Sequence, residues 1–173
     1  MTQRSHARTS IPHIEEPTLI DVEPGAFRFY KWKNLLLVMW LGESGVSAIQ
    51  RLGQAVVALQ QEHPAGTSAV HFLNTNVKLP DAETRSALVQ LSDQHAERLG
   101  AVAVVLAGSG FWASTMRSVV TAMRVLTARA YEMRIHGQLE EVADWLPAEH
   151  AKRTGVTIDR EALLHVLKLV ERA

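Results

Sequence analysis

Few residues in this sequence could do chemistry. Gly108-Ser109-Gly110 stands where a strand should pass into a helix, and backbone N–H groups at such a junction can hold an anion. The third glycine of a G-x-G-x-x-G loop is missing, and no Gly-Lys-Ser/Thr occurs, so neither nucleotide loop is present. A tight turn that lets the next helix pack explains these glycines, and Gly42-Glu43-Ser44-Gly45 reads the same way. The histidines His6, His13, His63, His71, His95, His136, His150 and His165 show neither H-x-H nor i,i+4 spacing. A metal site would need ligands from distant segments. His71 and His136 fall in predicted strands, where a hydrogen-bonded structural role is expected. A Ser–His–Asp set can be named in any chain of this size, but there is no G-x-S-x-G elbow. No catalytic residue, metal or cofactor is expected, and an enzyme is the least favoured class.

The remaining candidates point to binding. Asp81 and Glu83 lie at the mouth of a predicted helix, where carboxylates interact favourably with its dipole. Arg117 and Arg124, seven apart with Thr121 between, lie on one helix and read first as a solvated face, second as a patch for an acidic partner. Trp112 and Trp145 read as core or interface anchors.

Hydrophobic periodicity supplies the elements that position these residues. Residues 1–24, with Pro12, Pro17 and Pro24, read as a flexible arm closed by Pro24-Gly25. A hairpin follows: Phe27–Trp32, a Lys33-Asn34 turn, and Leu35–Leu41, which is apolar on both faces and should be central. The stripe Val46, Ile49, Leu52, Val56, Leu59 predicts a helix to about Glu62, with Ser44 as N-cap. A strand is expected over Ser68–Asn74, and a helix from Pro80-Asp81 to about Leu99, capped by Gly100. Ala101–Ala107 predicts a buried strand. Trp112, Met116, Val119, Val120, Met123 and Leu126 mark the next helix. Tyr131–His136 predicts a fifth strand, Gln138–Leu146 a short helix ended by Pro147, and Asp159–Glu171 a last helix. The order implies an α/β fold with a five-stranded, mostly parallel mixed sheet, one antiparallel entry hairpin and an extra C-terminal helix. The expected division is an arm (1–24), a domain (25–147), and a linker with the last helix (148–173).

Length and composition bound the class. The 173 residues fit one domain, and 47% apolar content can form a core. Lys+Arg and Asp+Glu balance at 18 each, so no global attraction to nucleic acid is expected. The absence of cysteine excludes disulfides and thiol chemistry and fits a cytoplasmic setting. The longest compact apolar run, Leu35–Leu41, is far too short to span a membrane, and residues 1–17 hold no signal-like stretch.

The order and spacing of these pieces resemble the STAS/SpoIIAA-like superfamily, the anti-sigma factor antagonist fold, over residues 26–146. The entry hairpin closing on Gly42, the segment Val70–Leu91, the Ala101–Ala107 strand and the close Glu140-Glu141-Val142-Ala143-Asp144-Trp145-Leu146 carry the resemblance. It implies a sheet with packed helices and a protein–protein switching role, in which a serine opening a helix is phosphorylated. Aligning Ser86–Leu91 to that helix matches Asp81, but Ala82 replaces the serine and Thr84 the glycine. Ala82 has no hydroxyl, so the standard switch cannot operate there; Thr75, Thr84 or Ser86 are the substitutes. The first reading is a signalling module that binds a protein partner through Asn74–Ser86 and Gly108–Trp112, with Thr75, Asp81, Glu83, Thr84, Ser86 and Trp112 as contacts. The second is a carrier of a small apolar ligand, in a pocket beneath the third and fourth helices. The third is a homodimer or larger homo-oligomer joined through the last helix.

Overall fold

The computed structural model describes residues 14–106, 108–127 and 131–173. Residues 1–13 of the expected arm, Ala107 at the end of an expected strand, and the side chain of Leu126 lie outside the described residues.

The expected hairpin forms as β2 (Phe27–Trp32) and β3 (Leu35–Trp40), joined at Lys33-Asn34 with Lys33 at φ 50°. All six β3 residues are buried, as an apolar run covered on both faces must be. An unexpected strand precedes them. Thr18–Glu23, read as part of a flexible arm, pairs antiparallel with β2 and becomes β1. Most of its residues are exposed, so no buried alternation announces it. Its anchors come from far along the chain: the Arg51 guanidinium donates to Asp21 and Glu23 and lies 4.6 Å from the Phe27 ring centre.

Three parallel strands extend the sheet: β4 (Thr67–Leu73), β5 (Leu99–Leu106) and β6 (Glu132–His136). The sheet is therefore six-stranded, ordered β1-β2-β3-β4-β5-β6, where five strands were expected. Strands added one place at a time by crossovers of one hand leave the crossover helices on one face. α1 (Val46–Glu62), α2 (Ala82–His95) and α3 (Phe111–Thr127) accordingly lie over Phe27, Phe29, Leu36, Val38, Val102 and Val104. α4 (Leu139–Thr154) and α5 (Arg160–Arg172) cover the opposite face, packing on Tyr30, Leu35, Leu37, Val70, Phe72 and Ala103.

Three local expectations are corrected. The α1 N-cap is Gly45 rather than Ser44, and no side chain caps it. The helix expected to reach Leu99 ends at His95, followed by one 3-10 turn (Ala96–Arg98). Gly100 is no cap but lies inside β5, where a Cβ would fall 2.7 Å from the Ser68 hydroxyl, so close strand approach requires glycine.

Pro147 does not end α4, which runs on to Gly155 in the left-handed conformation. An internal proline costs about 3 kcal/mol. Burial of Val142, Ala143, Leu146 and His150 on the same helix offsets it. Residue 147 lies inside α4, and α5 packs on the domain: Leu163, Val166, Leu167 and Val170 are all buried against the sheet and α4. Each such side chain contributes about 1.5–3 kcal/mol. Its apolar stripe is covered by its own domain, which removes the reason for placing a dimer contact there.

Candidate functional site

The cavity lies on the face covered by α1–α3. α2 contains Ala87, Leu88, Val89 and Leu91, yet its one fully buried residue is Thr84. It leans on α1 and α3 with little backbone approach to the sheet. Gly53 of α1 permits the lean, since a Cβ there would fall 3.1 Å from Leu91 Cδ1. Beneath α2 the sheet offers the small Ala69 beside Val102 and Val104. A helix held off the sheet over small side chains leaves a void, here a cavity of about 150 Å³.

Its lining is mostly apolar: Leu36, Trp40, Ile49, Leu52, Leu88, Leu91, Val104, Met116, Val119 and Met123 take part. Lys78 and Ser44, from the loops after β4 and β3, line it at the strand C-terminal end, and exposed Lys78 is ion-paired with Glu43. Ligands of open α/β sheets bind at this end. Tyr131 lines the far end, and its hydroxyl is buried with no hydrogen-bond partner among the described residues.

His71 is one of the polar side chains in the lining, with Thr84, Ser92 and His95. It follows Ala69 on the cavity face of β4 and is part-buried, and desolvation pushes its pKa down to about 4. The Trp40 Nε1–H donates to His71 Nδ1 at 3.1 Å. The two rings lie within 12° of parallel with centres 6.3 Å apart, so the contact is lateral, not face to face. Accepting at Nδ1 places the proton of the neutral ring on Nε2. That N–H meets no acceptor among the described residues.

A second histidine has the partners of a hydrolase triad without the access. Asn34 Nδ2 donates to Gly66 O at 3.0 Å, which leaves Asn34 Oδ1 as an acceptor, and His150 Nε2–H donates to it at 3.1 Å. His150 Nδ1 therefore accepts from Ser68 Oγ at 2.7 Å, and Ser68 Oγ accepts from Ala101 N–H at 3.0 Å. Asn34, Ser68 and His150 are all buried, and none lines the cavity. Fully satisfied and sealed, the group ties α4 to the hairpin turn and to the start of β4.

The residues expected to bind a partner are placed as follows. The loops after β4 and β5 do meet: a Cβ on Gly108 would fall 3.2 Å from Thr75 Cγ2, and the Trp112 Nε1–H donates to Val77 O at 2.9 Å. Asp81 caps α2, accepting from the Thr84 N–H at 2.7 Å, and that bond holds its carboxyl below the usual range. Thr84 is buried and lines the cavity. Thr75, Glu83 and Ser86 are exposed, and Ala82 begins α2. Gly108 and Gly110 both sit at positive φ, as the turn into α3 requires. Arg117 and Arg124 are exposed on α3.

A pocket was expected beneath the third and fourth helices; α3 and α4 lie on opposite faces, and the cavity found here sits under α1–α3. His71 and Tyr131 were not singled out for binding. The available signal was a histidine on the apolar face of a central strand, facing a helix whose inward positions Thr84, Leu88, Ser92 and His95 mix polar with apolar. Among the described residues no three His, Asp or Glu side chains converge, and no helix is long and apolar enough to cross a membrane. No family model matches the chain, and no curated protein matches its sequence significantly.

Proposed function

We propose that this domain is a non-catalytic binding module with a SpoIIAA-like fold, and that it holds a small, mostly apolar ligand between α1–α3 and the sheet. The observation that carries this reading is the cavity under α2, with an apolar lining and an unused N–H on His71. A well-packed core avoids both features, since each forgoes stability. The sealed state of Ser68 and His150 supports the absence of hydrolytic chemistry. The entry hairpin and consecutive strand order support the SpoIIAA-like assignment.

Native mass spectrometry of the full chain, gently purified and then incubated with benzene-sized probes, tests the reading. A bound mass that is lost in Leu88→Trp, which fills the cavity, is expected. A protein-only mass under every condition refutes it.

A second reading keeps a protein partner at the mouth. Phe111 is 88% exposed at the start of α3, and Leu79 in the neighbouring loop is 46% exposed. Both lie in the two segments expected to bind, beside Ala82, where the phosphorylatable serine is missing. Capture of a partner should fail in Phe111→Ser. Charge reversal of Asp81 and Glu83 that leaves all capture unchanged counts against this surface.

A further inference from the structure

We infer that the cavity's ligand is an uncharged molecule of about the bulk of one six-membered ring, carrying one hydrogen-bond acceptor that the His71 Nε2–H receives; this rests on the cavity being the binding site. The size follows from the volume. A cavity of about 150 Å³ with apolar walls is the scale that takes benzene.

The acceptor follows from the hydrogen-bond account. Trp40 Nε1 has only a proton to give, so the shared bond obliges His71 to accept at Nδ1 and to present Nε2–H elsewhere. A donor left without an acceptor in apolar surroundings costs stability wherever water does not reach it. A ligand acceptor removes the cost, whereas a second donor meets no lone pair there. Trp40 also limits the choice, because reversing the ring tautomer would leave its indole N–H without a partner.

The absence of charge follows from the walls. Among the described residues Lys78 is the one Lys or Arg in the lining; it is 67% exposed at the rim and already paired with Glu43. No cation among the described residues waits inside for an anion, and no carboxylate among them lines the cavity to receive a cation. An unpaired ion would therefore bear its full desolvation cost.

Benzene and pyridine have nearly the same shape and differ by one ring acceptor. Their affinities for the full chain are measured at pH 8, where pyridine is neutral, by ligand-observed NMR titration, for the native protein, His71→Leu and His71→Gln. The expected result is that His71→Leu weakens pyridine about three- to tenfold and leaves benzene within about twofold, the size of one neutral hydrogen bond. His71→Gln, which keeps an N–H donor, should restore part of the pyridine affinity. Benzoate should bind the native protein far more weakly than pyridine. Equal effects of His71→Leu on benzene and pyridine overturn the acceptor assignment, and benzoate as tight as pyridine overturns the exclusion of charge. If His71→Leu does not fold, the same comparison in His71→Gln against His71→Met decides. Failure of both benzene and pyridine to bind the native protein refutes the cavity reading itself, a result distinct from binding without His71 dependence.

Discussion

Acid should unfold this domain earlier than its carboxylates alone would dictate, and His150 should be a principal cause. The ring is fully buried, and burial lowers its pKa from 6.5 to about 4. Above pH 6.5 it is neutral in both folded and unfolded chains and contributes no pH dependence. Between 6.5 and 4 the unfolded chain binds a proton that the folded one refuses, so stability falls as pH falls; below 4 the loss is complete. Each unit of difference is worth about 1.4 kcal/mol, which gives a loss of about 3 kcal/mol from His150 across the window. The structural reason is specific: a protonated ring would put an N–H on Nδ1, where the Ser68 hydroxyl now donates, and would place a charge that no carboxylate among the described residues offsets. His71, also lowered to about 4 by burial, adds a loss of similar size, and His95 and His136 act in the same direction. Against a typical stability of about 5–15 kcal/mol, the domain should be close to unfolding near pH 4.5. Asp21, Glu62, Asp81 and Glu140, whose pKa values are lowered, lose their contributions only below the ordinary carboxylate range, so work above pH 4.5 separates the two effects. The assay is urea unfolding followed by circular dichroism at pH 7.5, 6.5, 5.5 and 4.5, on the native chain and His150→Gln. Glutamine can accept from Ser68 and donate to Asn34 without titrating. Its midpoint at pH 7.5 should be lower, and its fall towards pH 4.5 shallower by about 1 kcal/mol per unit. The same slope in both proteins would show that His150 does not hold off a proton in the fold.

Two further substitutions probe positioning. Gly100→Ala forces a Cβ to within 2.7 Å of the Ser68 hydroxyl and 3.3 Å of Thr67 O, and should destabilise by about 1–3 kcal/mol in urea titrations; a neutral result would mean that β4 and β5 separate without cost. Arg51→Ala removes the contacts that hold β1 to α1, so amide exchange over residues 18–23 should speed up at least about tenfold while β3–β5 stay protected; uniform loss of protection would instead make β1 part of the global core.

The central sheet was legible because its strands carry their own signal. Leu35–Trp40 and Leu99–Leu106 are apolar on both faces, and the helices between them show stripes at helical spacing. The two ends were harder to read. β1 owes its place to pairing with β2 and to Arg51, neither of which is written in residues 18–23. Pro147 suggested a stop because a local rule was applied where the packing of Leu146 and His150 on either side decides.

The same distinction bears on the site. A strong stripe such as that of α5 means a helix whose inner face is filled, and all four of its inward apolar residues are buried. A weak stripe on a helix that the chain topology nonetheless forces over the sheet has a different meaning. α2 must cross from β4 to β5, so it lies on the same face as α1 and α3 whatever its residues. Its inward positions Thr84, Leu88, Leu91 and His95 cannot fill the space above Ala69 and Val104. A void therefore follows from the combination of topology and composition, although neither shows it alone. His71 then acquires a second meaning. A buried neutral ring is best satisfied by a partner at each nitrogen, as His150 has in Ser68 and Asn34. His71 has one, Trp40, and the residue lines the space that α2 leaves open. The two histidines share the same direction of pKa shift and the same cause. The difference between them is that His150 completes its hydrogen bonds inside a sealed cluster, whereas His71 completes one and lines the cavity.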